Sequence, residues 1–209
     1  MAFIKSDSFY AGLSGKVGDL IFCKGTKGTI VRRASQNKSN HHPTPGQEEC
    51  RSRFVMANKF LLTAAHVLKM GAIENEEIEV QKRNRSAIRK SIVGGVYPHL
   101  FIDFSKLILT KGKMSLPDKL NIKLKEHKLE ISWNSRKVNT QSELIIACYS
   151  AIQNCWITQL IKFRKDEQSH HFTIPNSLHE GFECYAFVRA INRQAVSNSK
   201  YFGGFQCIV

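Results

Sequence analysis

At 209 residues the chain is long enough for one sizeable domain or two smaller ones, each with a core of its own. Apolar residues make up 42%, which excludes wholesale disorder. The 31 Lys and Arg against 17 Asp and Glu, a formal charge of +14, favour anionic partners, yet the basic residues are dispersed as on a solubilising surface.

The first expected element is a β-hairpin. Residues 19–24 and 29–33 are β-rich runs on either side of the glycine-bounded turn Gly25-Thr-Lys-Gly28. Leu20 and Phe22 share one face of the first strand, and Ile21 and Cys23 share the other. A strand apolar on both faces needs cover on both. Two strands alone are not stable, so the hairpin is expected to pack on the body of the protein or on another chain. Upstream, Leu13-Ser-Gly-Lys-Val-Gly18 holds a Gly-Lys pair that invites a phosphate-loop reading. That loop needs four residues between its first Gly and the Gly-Lys, then Ser or Thr, set between a strand and a helix. Gly12 and Gly15 are separated by two residues, Val17 takes the hydroxyl position, and a hairpin follows. A dinucleotide fingerprint fails because no strand-loop-helix unit surrounds the glycines. Gly12, Gly15 and Gly18 therefore read as positions of tight turns or close backbone contact.

Residues 34–46 are polar, contain Pro43 and Pro45, and read as a linker. A helix is expected from 47 to about 70, with Phe54, Ala57, Leu61, Ala64 and Leu68 at helical spacing and Phe60 and Ala65 widening the stripe. Glu48 and Glu49 near its start and Lys69 near its end suit the helix dipole, and Gly71 offers a stop. A shorter helix is expected over 79–93, ended by Gly94-Gly95, and a strand over 106–110.

After Pro117 the texture turns to strands. Leu129, Ile131 and Trp133 alternate with polar neighbours, and runs at 144–149, 155–158, 171–174 and 183–191 follow with turn residues between them. This spacing indicates a β-sandwich, with Trp133 in its core. Along 183–191 two rows compete for the inside. Cys184, Ala186, Val188 and Ala190 form one, Tyr185 and Phe187 the other. The aromatic row is preferred, because rings left in water forfeit a few kcal/mol of burial. The expected fold class is α+β, with a hairpin-and-helix domain over 1–115 and a sandwich domain over 116–209.

Reactive chemistry finds little support. In His41-His42 and His170-His171 adjacent side chains point to opposite sides of an extended chain, with no Cys or Asp at ligand spacing. The cysteines Cys23, Cys50, Cys148, Cys155, Cys184 and Cys207 form no Cys-x-x-Cys pair, and Cys23, Cys148, Cys184 and Cys207 sit in apolar runs as small hydrophobes. The N-terminus lacks the basic start and apolar run of a secretory signal, and no apolar segment nears the ~20 residues of a membrane span. Reduced thiols in a cytoplasmic protein are expected. There is no Gly-x-Ser-x-Gly motif and no cysteine in a protease context. The acidic run Glu74, Glu76, Glu77 and Glu79 reads as a solvated face. No catalytic residue, metal or cofactor is expected.

What remains is contact chemistry. The candidate interaction residues are Leu20, Ile21, Phe22, Lys24, Lys27, Arg32 and Arg33. They imply a non-enzymatic structural or protein-interaction protein, whose hairpin meets another protein or a second copy of the chain. The alternative is a non-specific nucleic-acid binder, with aromatic and basic residues interleaved at Phe22-Cys-Lys24 and Phe163-Arg-Lys165 and hairpin arms that grip phosphates. No recognition helix, RNA-binding sheet or zinc-finger pattern accompanies them.

Two resemblances add to this reading. Residues 183–202, with Leu-Glu-Ile-Ser-Trp at 129–133 before them, resemble a fibronectin type III or immunoglobulin-like sandwich, with strands at Trp133, 185–190 and 197–201 in the order that fold implies. Nearly the whole chain also resembles an uncharacterised family of Bacteroidota proteins of about this length. The carrying motifs are Leu13–Gly18, Ile30-Val-Arg-Arg33, the helix start with Pro45, Gln47 and Arg51, Tyr97-Pro98, Asp103-x-Ser-Lys106 and Val196-Ser-Asn-Ser199. That resemblance implies no known activity. This chain is more basic and richer in cysteine than the family pattern.

Overall fold

The computed structural model describes residues 2–4, 8, 10, 12–25, 28–35, 42–73, 86, 88–125, 128–134, 139–164, 167–175, 178 and 180–206. Two compact units are present, Met1–Thr44 and Pro45–Val209.

The first unit is a four-stranded antiparallel sheet. Its strands are β1 (Ala2–Ile4), β2 (Gly15–Val17), β3 (Leu20–Gly25) and β4 (Gly28–Arg33), in the order β1-β4-β3-β2. The expected hairpin is its centre, with Phe22 opposite Val31 and Gly25 opposite Gly28. Val17 pairs with Leu20, so Gly18 and Asp19 form a two-residue turn in which Gly18 takes φ +57. Glycine enters that left-handed region without the steric cost other residues bear. The Gly15-Lys16 pair lies within β2, with no helix after it, and the region has no phosphate-loop geometry.

The second unit begins with α1 (Pro45–Thr63) and α2 (Ala65–Met70). Proline suits the first helical position, where its fixed φ is already helical and the missing N–H would be unpaired anyway. The helix expected to run unbroken from 47 to about 70 is interrupted at Ala64, and it ends at Gly71 as expected, though Gly71 has φ −87 and is not left-handed. Its lack of a side chain matters for another reason: a Cβ there would stand 2.0 Å from Thr110 Cγ2. Next come β5 (Val93–Val96), β6 (His99–Ile102) and a 3₁₀ turn at Phe104–Lys106. The remaining strands are β7 (Asn121–Lys125), β8 (Lys128–Ser132), β9 (Ser142–Ser150), β10 (Cys155–Lys162), β11 (Ser169–Thr173), β12 (Phe182–Ala190) and β13 (Lys200–Phe205).

They form a four-stranded sheet, β10-β9-β12-β13, and a three-stranded sheet, β11-β8-β7, both antiparallel. One core lies between the sheets. It joins Leu129, Ile131 and Trp133 to Leu144, Ile146, Cys148, Cys184, Ala186 and Val188. A second core lies on the other face of the four-stranded sheet. There Ile145, Ala147, Tyr149, Tyr185 and Phe187 pack with Ala57, Phe60, Leu61 and Val67 of the helices and with Leu107 and Leu109. Residues on either side of position 115 thus share this core. The central sheet is covered on both faces, and every residue of β9 is buried. Both competing rows of β12 are inside, apart from the half-buried Ala190 at its end. Tyr185 and Phe187 are buried as preferred, but against the helices; the smaller row faces Trp133.

Several expectations need correction. Phe54 is 57% exposed and leaves the buried stripe, with the Arg89 guanidinium 5.7 Å over its ring. Of the helix expected at 79–93, residues 79–85 and 87 lie outside the described residues, and 88–91 are helical. Gly94 and Gly95 do not end it; they lie within β5, where the Phe101 ring covers the space a Gly94 side chain would need, 2.8 Å from an ideal Cβ. Residues 106–110 form no strand: Lys106 ends the 3₁₀ turn, Ser199 Oγ accepts from the following backbone at Leu109 and Thr110, and the Thr110 hydroxyl donates to the Ser197 carbonyl. The strand expected from 197 begins at Lys200.

Candidate functional site

The N-terminal sheet presents two apolar faces. The pairing puts Val17, Leu20, Phe22 and Val31 on one, together with Lys24 and Arg33, and Phe3, Ile21, Cys23 and Ile30 on the other, together with Lys16 and Arg32. Val17 is 65% exposed, Phe3 61% and Leu20 45%, while Ile21, Phe22 and Cys23 are half-buried. Among the described residues of this unit only Thr29 is buried, and its Oγ1 accepts a 3.1 Å hydrogen bond from the Gly12 N–H. The sheet therefore carries apolar side chains on both faces without enclosing one.

Lys24, Arg32 and Arg33 are exposed, and Lys27 lies outside the described residues. Arg33 and Lys24 share a face, whereas Arg32 stands with Lys16 on the opposite one. These cations do not converge on one stripe. Phe163, the second aromatic singled out beside basic residues, is buried against Trp133 with ring centroids 5.4 Å apart, so it offers no face to a base. Arg164 beside it is exposed, and Lys165 lies outside the described residues.

The remaining chemical candidates are scattered. His42 is exposed, and His41 lies outside the described residues. On β11, His170 pairs with Ile131 and His171 with Glu130, which sends the two rings to opposite faces. Glu74, Glu76, Glu77, Glu79 and Cys207 lie outside the described residues. Among the described residues no group of three or more His, Cys, Asp or Glu is placed to hold a metal ion. A cleft of about 290 Å³ opens beside the inter-sheet core, walled by Met114, Leu116, Pro117, Phe163 and Val188 and edged by Lys113, Asn139 and Ser142. The Ser142 hydroxyl there donates to the Asn139 carbonyl at 2.6 Å. No described helix is long and apolar enough to cross a membrane, which says nothing of a β-barrel.

Polar groups of the second unit mostly fasten its layers. The Tyr185 hydroxyl donates to the Phe104 carbonyl at 2.7 Å, and the Tyr201 hydroxyl donates to Glu183. Burial, then the neighbouring Tyr201, pushes the Tyr185 phenol well up from its ordinary range. Burial and the bond to Glu183 push Tyr201 up to about 12. The Asp103 carboxylate caps the 3₁₀ turn through the Ser105 N–H and hydroxyl and pairs with Lys106 at 2.9 Å, and these partners hold its pKa down.

The motifs singled out in the sequence serve the same end. Asn198 Oδ1 accepts from the Gly112 N–H at 3.0 Å. Ser199 Oγ accepts from the N–H groups of Leu109 and Thr110, and Ser197 Oγ from that of Val188. Tyr97 and Pro98 make the turn between β5 and β6. Residues 12–203 fit a single family-wide sequence pattern. The chain belongs to DUF6266, a family of unknown function. No curated protein and no solved structure matches it. The DUF6266 match spans both units, from Gly12 ahead of β2 to Gly203 within β13.

Phe3 and Val17 are surface residues that sequence reasoning missed. Strands of three residues are too short to show an alternation, and pairing with β4 and β3 is what places these side chains beside the candidates.

Proposed function

We propose that this protein is a non-enzymatic structural or interaction protein that assembles through its N-terminal sheet, with a second copy of the chain as the partner. The observation that carries the reading is the sheet itself, apolar on both faces yet enclosing no apolar residue among those described. Half-exposed aliphatic and aromatic groups grouped on a small sheet are a cost in water and a gain at an interface. The immunoglobulin-like reading of the second unit draws support from strand order. β7-β8-β11 and β9-β12-β13 reproduce the pairings of the two sheets of such a sandwich, with β10 added beside β9. That likeness concerns architecture and assigns no function.

The size of the chain in solution tests this proposal. Self-assembly gives a mass above 23.8 kDa, and Ile21→Asp returns it to one chain. A second reading, non-specific binding of nucleic acid, draws on the exposure of Lys24, Arg32 and Arg33. It requires affinity for duplex DNA that falls with salt by a slope of about −0.9 per phosphate contact, and that flattens on replacing Arg32 and Arg33 by Ala. No binding at low salt eliminates it.

A further inference from the structure

Cys148 and Cys184 stand directly opposite one another on β9 and β12, the two central strands of the four-stranded sheet. The Cys148 thiol donates to the Cys184 sulfur at 4.0 Å, and both side chains are buried between the sheets. We propose that this pair is a latent cross-link, closing to a disulfide when the chain folds in the presence of a low-molecular-weight disulfide and staying open when it folds without one.

The geometry is close to what the bond requires. Opposed residues of an antiparallel pair hold their Cβ atoms about 4.5–5.5 Å apart, against about 3.5–4.5 Å in a disulfide. Closure thus asks the two strands to approach by roughly 1 Å. The register of β12 against β13 shifts between Cys184 and Tyr185, and a strand bends most easily at such an irregularity.

The exchange proceeds in two steps. One cysteine thiolate attacks the S–S bond of the small disulfide, forms a mixed disulfide and expels one small thiolate, which takes up a proton. The second cysteine, as thiolate, attacks the protein sulfur of that mixed disulfide and expels the other small thiol. Two protein thiols lose two electrons and two protons, and the small disulfide gains both.

Timing follows from burial. In the folded protein the neighbouring Cys148 and burial push the Cys184 thiol well up from its ordinary range, and with Cys148 1% and Cys184 0% exposed the oxidant has no path to either sulfur. The choice is made before the sandwich closes. Once closed, the bond limits the freedom of the unfolded chain and stabilises the fold.

The test refolds the full-length chain with oxidised glutathione, alkylates the remaining thiols and maps the peptides. The expected product links the peptides carrying residues 148 and 184, is lighter by two hydrogens, and melts above the protein refolded with reduced glutathione. Cys148→Ala should abolish both the link and the difference in melting. The same oxidant added to folded, reduced protein should leave both thiols free. A second protein, with Cys23, Cys50, Cys155 and Cys207 replaced by Ser, removes competing pairings; if it does not fold, the map of the natural chain decides. Residues 148 and 184 found free or glutathionylated at every oxidant ratio after refolding would overturn the cross-link. A link formed as readily in the folded protein would overturn its dependence on folding.

Discussion

Arg189 and Glu143 face each other across β12 and β9 and form an ion pair beneath the end of α2. The Arg189 Nε donates to Glu143 at 2.8 Å, and a terminal nitrogen donates to the Met70 carbonyl at 2.9 Å. Their side chains are 8% and 7% exposed. Both charges have left water, so removing one strands the other. Glu143→Ala should cost about 3–5 kcal/mol in urea unfolding. Replacing both residues by Leu and Met should cost far less, since that leaves no orphaned charge. Equal losses from the single and double variants would contradict this reading.

Trp133 makes a similar case for the inter-sheet core. It is buried against Phe163, and its indole N–H has no hydrogen-bond partner among the described residues. Trp133→Ala should cost roughly 3–5 kcal/mol. Trp133→Phe should cost distinctly less, because it keeps a ring while removing the unpaired donor. Thermal melts of the two variants separate these effects. An alanine variant that melts like the parent would place Trp133 outside the core.

The segment after the 3₁₀ turn depends on Ser199, whose hydroxyl accepts from the backbone of Leu109 at 2.8 Å and Thr110 at 3.3 Å. Ser199→Ala leaves those donors without this acceptor and should cost about 1–3 kcal/mol. Hydrogen exchange should quicken at Leu109 and Thr110 while β9 stays protected. Unchanged exchange at both amides would refute the clamp.

Alkali probes the other core. Tyr201 has its phenol raised from 10.0 to about 12, and Tyr185 is raised further. Both are harder to ionise folded than unfolded, so their contribution to stability is complete below the ordinary value of 10.0. It is lost as pH climbs through about 12 for Tyr201, and later for Tyr185. Phenolate absorbance should therefore lag in the folded protein, and Tyr201→Phe should remove one lagging group. Complete ionisation near the ordinary value with the fold intact would contradict this.

Much of the strand pattern is legible because one face meets water. Leu129 and Ile131 alternate with polar residues on β8 and are buried, as that pattern requires. β12 offers no such contrast. Its Cys184 row meets one core and its Tyr185 row the other, so alternation marks two insides and periodicity alone cannot choose. The apolar Leu-Ile-Ile-Ala-Cys run of β9 carries the same message. Gly94 and Gly95 read as a helix end because glycine breaks helices. Their place in β5 depends on Phe101 from β6, which no local pattern shows. In the candidate surface, Leu20 to Cys23 declare two apolar faces in sequence. That the cations divide between those faces follows from register alone, with Arg33 opposite Leu20 and Arg32 opposite Ile21.

Sedimentation of the full-length chain at low and high salt tests the proposed assembly most directly. Association through apolar faces is little screened by salt. The mass should therefore exceed that of one 23.8 kDa chain in both buffers and return to it in Ile21→Asp, with the far-ultraviolet circular dichroism of the second unit retained. A parent protein that sediments as a single chain in both buffers, indistinguishable from Ile21→Asp, would contradict assembly through the N-terminal sheet.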